Sequence, residues 1–242
     1  VDVVDTPART PVNNSQARVE VMAVVPANDV ASVIIARSGA WMDSMSLQKL
    51  LYYVQAWHLA VTDEPLFPEQ IKAWKDGPVV PQVWHARKGQ ETRRAAAQDV
   101  QHVSLDRMTE DLIDLVIGSY GSMSGEELSA LTHVEQPWID ARGDLPENAE
   151  SREPVSQQGM ATYYRAHRRL GGRTASDLAA GGIDVRGDRE AGPVDVDEIL
   201  ESLGDEYSDS GTDRWGGANL DPGDQYDTEG IVHECGHTYA DS

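Results

Sequence analysis

Ser46–Val61 reads SLQKLLYYVQAWHLAV, and the spacing of its apolar residues decides the fold. Leu47, Leu50, Leu51, Val54 and Trp57 recur at steps of three and four, which is the repeat of one face of an α-helix. Tyr53 and His58 sit beside this stripe, and Ser46 stands where the helix opens. The pattern predicts a central core helix over Leu47–Val61, stopped by Thr62-Asp63-Glu64-Pro65. Gln48 and Lys49 fall off the stripe and are expected at the solvated side.

Working outward, the same periodicity continues on both sides. Asn28 or Asp29 is placed to cap a helix through Arg37, which Gly39 ends. Pro65 and Pro68 keep the chain extended after the central helix. Ile71–Trp74 alternates weakly and reads as a short strand. Asp76-Gly77-Pro78 is a turn, because Gly reaches positive φ and Pro stiffens the chain after it. Pro81 suits the first turn of a helix through Ala86, and the polar stretch Lys88–Val103 reads as a loop or frayed helix. Asp106–Tyr120 is predicted helical with Met108, Leu112, Leu115, Val116 and Ser119 inward, closed by Gly121. Ser124 and Glu127 have capping-box spacing and open a helix through His133. Pro137 starts a turn carrying Trp138 and Ala141. Ser156–Leu170 is predicted as a last helix with Met160, Tyr163, Tyr164 and His167 on one side, ended by Gly171-Gly172. The fold class expected is therefore mainly α: one helical domain over residues 28–170, with a short β segment near residues 70–75.

The ends of the chain read differently. Of 242 residues, 41 are acidic and 20 basic, a net charge of -21. Residues 171–242 contain 18 acids against 4 bases and so carry -14 of it. With few branched apolar residues, that stretch cannot bury enough surface to offset its ordering entropy. It is expected to be a mostly disordered acidic tail, relieved by a short helix at Val194–Leu203 (VDVDEILESL) that has Val196, Ile199, Leu200 and Leu203 on one face. Residues 1–27, with Thr-Pro twice and Asn13-Asn14-Ser15, are expected to form a flexible extension; Met22 is a candidate internal start.

A pI near 4.5 argues against direct nucleic-acid binding, whose affinity comes from clustered Lys and Arg, and against anionic membrane surfaces. No run approaches the roughly 20 apolar residues of a membrane helix. The first 40 residues hold no basic segment followed by an apolar one, so a cytoplasmic location is expected. One cysteine, Cys235, excludes a disulfide framework or a multi-cysteine zinc site within these residues.

Three stretches carry a resemblance. Met45–Trp84 (MSLQKLLYYVQAWHLAVTDEPLFPEQIKAWKDGPVVPQVW), Glu126–Arg142 (EELSALTHVEQPWIDAR) and Met160–Arg165 (MATYYR) together resemble the Panacea domain of the SocA-like antitoxins, a family also found among phage-associated proteins. The resemblance spans about residues 28–170. It implies a mostly helical module that neutralises a cognate toxin, usually encoded by an adjacent gene, by direct binding; it does not imply catalysis, and no enzymatic activity or cofactor is expected. It also implies an alternative in which the module is an adaptor that delivers its partner to a protease, or binds another host factor such as a chaperone.

The candidate partner-binding residues are the motif positions Lys49, Trp57, Trp74, Gly77, Pro78, Val79, Trp84, Thr132, His133 and Trp138. Within the LQKLLYY motif, the family pattern invites Lys49 to pair across a turn. Trp74 and Trp84 flank the Asp76-Gly77-Pro78 turn, and tryptophan is enriched at interface hot spots. The alternative is a turn whose aromatics simply pack on the central helix. In Thr132-His133-Val134-Glu135, the two residues that would form an acid–base pair are two apart, a spacing that does not face side chains together on a helix. A structural role for Thr132 or His133 in the turn before Pro137 is expected instead.

His233-Glu234-Cys235-Gly236-His237 matches H-E-x-x-H, in which two histidines bind zinc and the glutamate activates its water. This makes a zinc-dependent hydrolase a further alternative. The motif's setting in a Gly- and Asp-rich tail, with five residues after His237, favours chance occurrence.

Overall fold

A computed structural model describes residues 25–39, 42–88, 100–146 and 148–181. Among them are eight helices and one two-stranded hairpin, the mainly α class read from the sequence. The helix expected at 194–203 and the H-E-x-x-H segment lie outside the described residues. No helix among those described is long and apolar enough to cross a membrane.

The central helix is α2, Ser44–Thr62. Asp43 opens it by accepting from the Ser46 amide (2.7 Å) and hydroxyl (2.8 Å), so Ser46 is the third helical residue, not the cap. Every residue from Ser46 to Ala60 is buried. A helix wrapped on all sides must satisfy its own polar residues, and here these groups pin down the irregular chain around it. Gln55 accepts from the Leu66 amide (3.0 Å) and donates to the Phe67 carbonyl (3.0 Å). His58 Nδ1 meets the Glu64 carbonyl at 2.7 Å, and Gln48 accepts from the Val80 amide at 2.8 Å. Gln48 and Lys49 are thus buried, not solvated: the stripe marks the most apolar face of a helix that has no free face.

The remaining elements surround α2. α1, Ala27–Ser38, begins after Pro26 with no side-chain cap and ends at Gly39 with φ 65°; Asn28 and Asp29 lie inside its first turn rather than capping it. β1, Lys72–Trp74, and β2, Gly77–Val79, pair antiparallel with Trp74 opposite Gly77. Residues 153–155 run along β1, with Ala73 donating to the Glu153 carbonyl and Val155 to that of Ile71. α3, Pro81–Arg87, is tied to α1 by Arg87, which donates to the Asn28 carbonyl and the Ser32 hydroxyl. α4, Arg107–Tyr120, is capped by Asp106 and joined to α1 through Arg37 with Asp114 (2.7 Å) and Glu110 (3.0 Å). α5, Gly125–His133, has the expected capping box of Ser124 and Glu127. α6, Gln136–Arg142, has Pro137 in its first turn.

α7, Gln157–His167, ends three residues before the predicted Leu170. Arg168 turns extended (φ -119°, ψ 156°), and its guanidinium reaches Glu135. Gly171 and Gly172 do not cap this helix. With φ of 56° and 74° they form a tight turn that brings Leu170 opposite Arg173, a conformation that glycine adopts without a Cβ penalty. The turn leads into α8, Ala175–Gly181, whose Ala175 and Leu178 are buried in the same core. The described fold therefore runs beyond the boundary drawn at Leu170.

Candidate functional site

Two side-chain constellations stand on the α2 scaffold. The first lies in the core. Glu135, in the turn between α5 and α6, has no exposed surface. Its Oε2 accepts from the hydroxyls of Tyr164 (2.7 Å) and Tyr52 (3.0 Å), and its Oε1 faces the Arg168 guanidinium at 3.2 Å. Around it, Tyr53 stacks on Tyr120 with ring centroids 4.1 Å apart, and Trp57 packs edge-on against Tyr164. Burial raises the carboxyl pKa of Glu135, against the pull of Arg168 and the hydroxyls of Tyr164 and Tyr52. Burial also drives the Tyr52 and Tyr164 hydroxyls well above their ordinary range, and the nearby carboxylate adds to the effect. Each hydroxyl therefore remains a donor at any ordinary pH. The arrangement ties α2, the α5–α6 turn and α7 together through one carboxylate, and it is closed to solvent.

The second constellation is the hairpin and the side chains beneath it. Lys49 is 1% exposed, and its Nζ donates to the Asp76 carbonyl at 2.5 Å. The Ser129 hydroxyl donates to the same oxygen at 2.8 Å. Gly77, at φ 101°, lies so close that a Cβ there would stand 2.6 Å from Lys49 Cε and Nζ and 2.9 Å from Thr132 Oγ1. On the other side of the turn, Trp138 Nε1 donates to the Trp74 carbonyl at 3.1 Å. Two aromatic pairs flank the turn: Trp84 lies 5.7 Å from Trp74, and His133 stacks on Trp138 at 4.2 Å. Lys88 stands over the Trp84 ring and Arg142 over Trp138.

The motif positions thus separate into two groups. Lys49, Trp57, Gly77, Pro78, Val79 and Thr132 are buried, and they hold the hairpin or the core in place. Trp74, Trp84 and His133 are half-buried and keep exposed surface, whereas Trp138, 7% exposed, is nearly covered. Thr132 donates within its own helix to the Ser129 carbonyl. His133 contributes its ring to the stack rather than a bond to the turn. The role of Glu135 as a structural centre is not legible in its own motif. The signal present is the set of tyrosines in LLYY and MATYYR, whose hydroxyls need partners once buried. Among the described residues, no group of three or more His, Cys, Asp or Glu is arranged to hold a metal.

Burial, with help from the charges of Lys49 and Arg142, lowers the His133 pKa to about 4. An unfolded histidine titrates near 6.5, so between those values the unfolded chain takes up a proton that the folded one refuses. Stability contributed by His133 is therefore complete above pH 6.5 and lost as pH falls toward 4. His133→Phe keeps the stack and removes the titration. Denaturation midpoints measured from pH 7 to 4 are expected to fall less steeply in this variant than in the wild type.

The fold and its surface define a mainly helical domain that presents a backbone-anchored aromatic hairpin. Residues 47–139 match the family model described as Antitoxin SocA-like, Panacea domain, and they contain most of α2 and the whole hairpin. Among curated proteins, the chain is similar to Antitoxin SocA of Caulobacter vibrioides (strain NA1000 / CB15N), at 29% identity over 129 residues, covering 47% of this chain and 69% of the relative. No solved structure matches significantly. The resemblance carried by the motifs is borne out over Leu47–Trp84 of the first stretch and Glu126–Ile139 of the second; Met160–Arg165 lies beyond the family match.

Proposed function

We propose that this chain is an antitoxin-type module that neutralises a cognate toxin protein by binding it directly, through the face formed by Trp74, Trp84, His133 and Trp138. The observation that carries the reading is the SocA-like Panacea match over residues 47–139, which includes every residue of this face. Physical features support it. The hairpin backbone is held by side chains from three helices, so little conformational freedom remains to be lost on association. Half-buried tryptophans on such a frame are suited to hot-spot contacts. Ile139, 40% exposed, extends the apolar surface beside Trp138. The excess negative charge of the chain would speed encounter with a basic partner.

Co-expression with the product of the neighbouring reading frame tests the reading. That product is expected to arrest growth alone and to be tolerated with the wild-type chain. A neighbour that is harmless alone, or equally toxic in its presence, contradicts the proposal. Lifetime of the neighbour's product separates occupancy from delivery to a protease: neutralisation by binding leaves it unchanged, whereas an adaptor shortens it.

A further inference from the structure

Lys49 is 1% exposed, buried beneath the hairpin turn. The Asp76 carbonyl is its hydrogen-bond partner among the described residues, and Ser129 already donates to that oxygen. Desolvating an ammonium is costly, and apolar replacements of similar volume often leave a protein as stable or more so. The same side chain closes the space beneath Gly77. Trp138 holds the Trp74 carbonyl two residues before Asp76. Strands of three residues have little stability of their own, so these anchors on the turn, together with residues 153–155 bonded along β1, set where the hairpin stands.

We propose that Lys49 is a positioning residue for the partner-binding face: its buried amino group, together with the Ser129 hydroxyl, clamps the Asp76–Gly77 peptide and so fixes the placement of Trp74 and Trp84. The assignment rests on reading that face as the partner surface.

The charged and titratable groups around Lys49 are Asp76 in the turn, Asp43 at the start of α2 and His133 in α5, with Arg142 of α6 beyond His133. Burial lowers the Lys49 pKa to about 7, while Asp76 and Asp43 pull the other way. An unfolded lysine keeps its proton to about 10.4. Folding therefore releases a proton between those values, and stability rises with pH across that window.

Hydrogen–deuterium exchange on the full chain, comparing wild type with Lys49→Met, tests the clamp. The variant is expected to melt at the same temperature or higher, yet to exchange amides of residues 72–80 about tenfold faster or more. Its stability should also lose the rise between pH 7 and 9, and its affinity for the neighbouring frame's product should fall about tenfold or more. Ser129→Ala, which removes the other donor, gives an independent reading and should loosen the same amides to a smaller degree. Hairpin exchange as slow as wild type in both variants overturns the assignment. So does undiminished affinity of Lys49→Met where Trp74→Ala/Trp84→Ala loses it. A loosened hairpin in Lys49→Met, with a double tryptophan variant that binds like wild type, supports the clamp and contradicts the face as the partner surface.

Discussion

Replacing Glu135 with alanine is expected to lower the unfolding free energy by about 3–5 kcal/mol, the range for removing one member of a buried, hydrogen-bonded charge pair. Arg168, whose side chain is 11% exposed, would be left beside an apolar methyl. The hydroxyls of Tyr52 and Tyr164 would lose the acceptor they share at 3.0 and 2.7 Å. The carboxylate joins α2 to α7 and to the turn before α6, so the loss is expected to affect global unfolding rather than local fraying. Glu135→Gln keeps the volume and a carbonyl acceptor but not the charge, and a smaller loss of about 1–3 kcal/mol is expected. Urea titration with an unchanged slope would read both values. A loss below about 1 kcal/mol for the alanine variant would show that the pair contributes little net stability, as some buried pairs do.

Gly77→Ala is expected to cost about 2–6 kcal/mol, from two effects that act together. A φ of 101° is strained for any residue with a Cβ, at about 1–3 kcal/mol. The added atom would also meet Lys49 and Thr132 at 2.6 and 2.9 Å, and overpacking of this kind costs about 1–3 kcal/mol. Gly39→Ala is the control. Its φ is 65° and no atom lies within 4 Å of the point where a Cβ would stand, so only the left-handed backbone penalty of about 1–2 kcal/mol applies. Thermal denaturation of the two variants separates conformation from contact. Equal losses would mean that Lys49 and Thr132 give way to the added atom without resistance.

Much of this architecture is legible in local chemistry. The α2 stripe, the Ser124–Glu127 box, Pro81 at a helix start, Gly39 at a helix end and the Asp76-Gly77 turn each rest on interactions within a few residues, which sequence displays directly. The features that are not legible depend on contacts between distant segments. Gln48 and Lys49 read as solvated because periodicity shows the most apolar side of a helix, not whether its other sides are covered. α7 stops earlier than its periodicity predicts because Arg168 leaves the helix to reach Glu135, a residue 33 positions earlier in the chain. α8 is hidden in a stretch whose composition is dominated by the acids after it. At the surface, the motif tryptophans are legible as a group. Only tertiary packing separates Trp57, in the core, from Trp74 and Trp84, which reach solvent.

The hairpin face is proposed to bind a partner protein directly through Trp74 and Trp84. The most direct measurement is calorimetric titration of the full chain with the product of the neighbouring reading frame, using wild type and the Trp74→Ala/Trp84→Ala variant. The expected result is a stoichiometric complex with wild type and an affinity lower by about thirtyfold or more in the variant, the effect of losing at least one hot-spot residue, with the variant still folded. A wild-type chain that forms no complex, or a folded double variant that binds equally well, would contradict it.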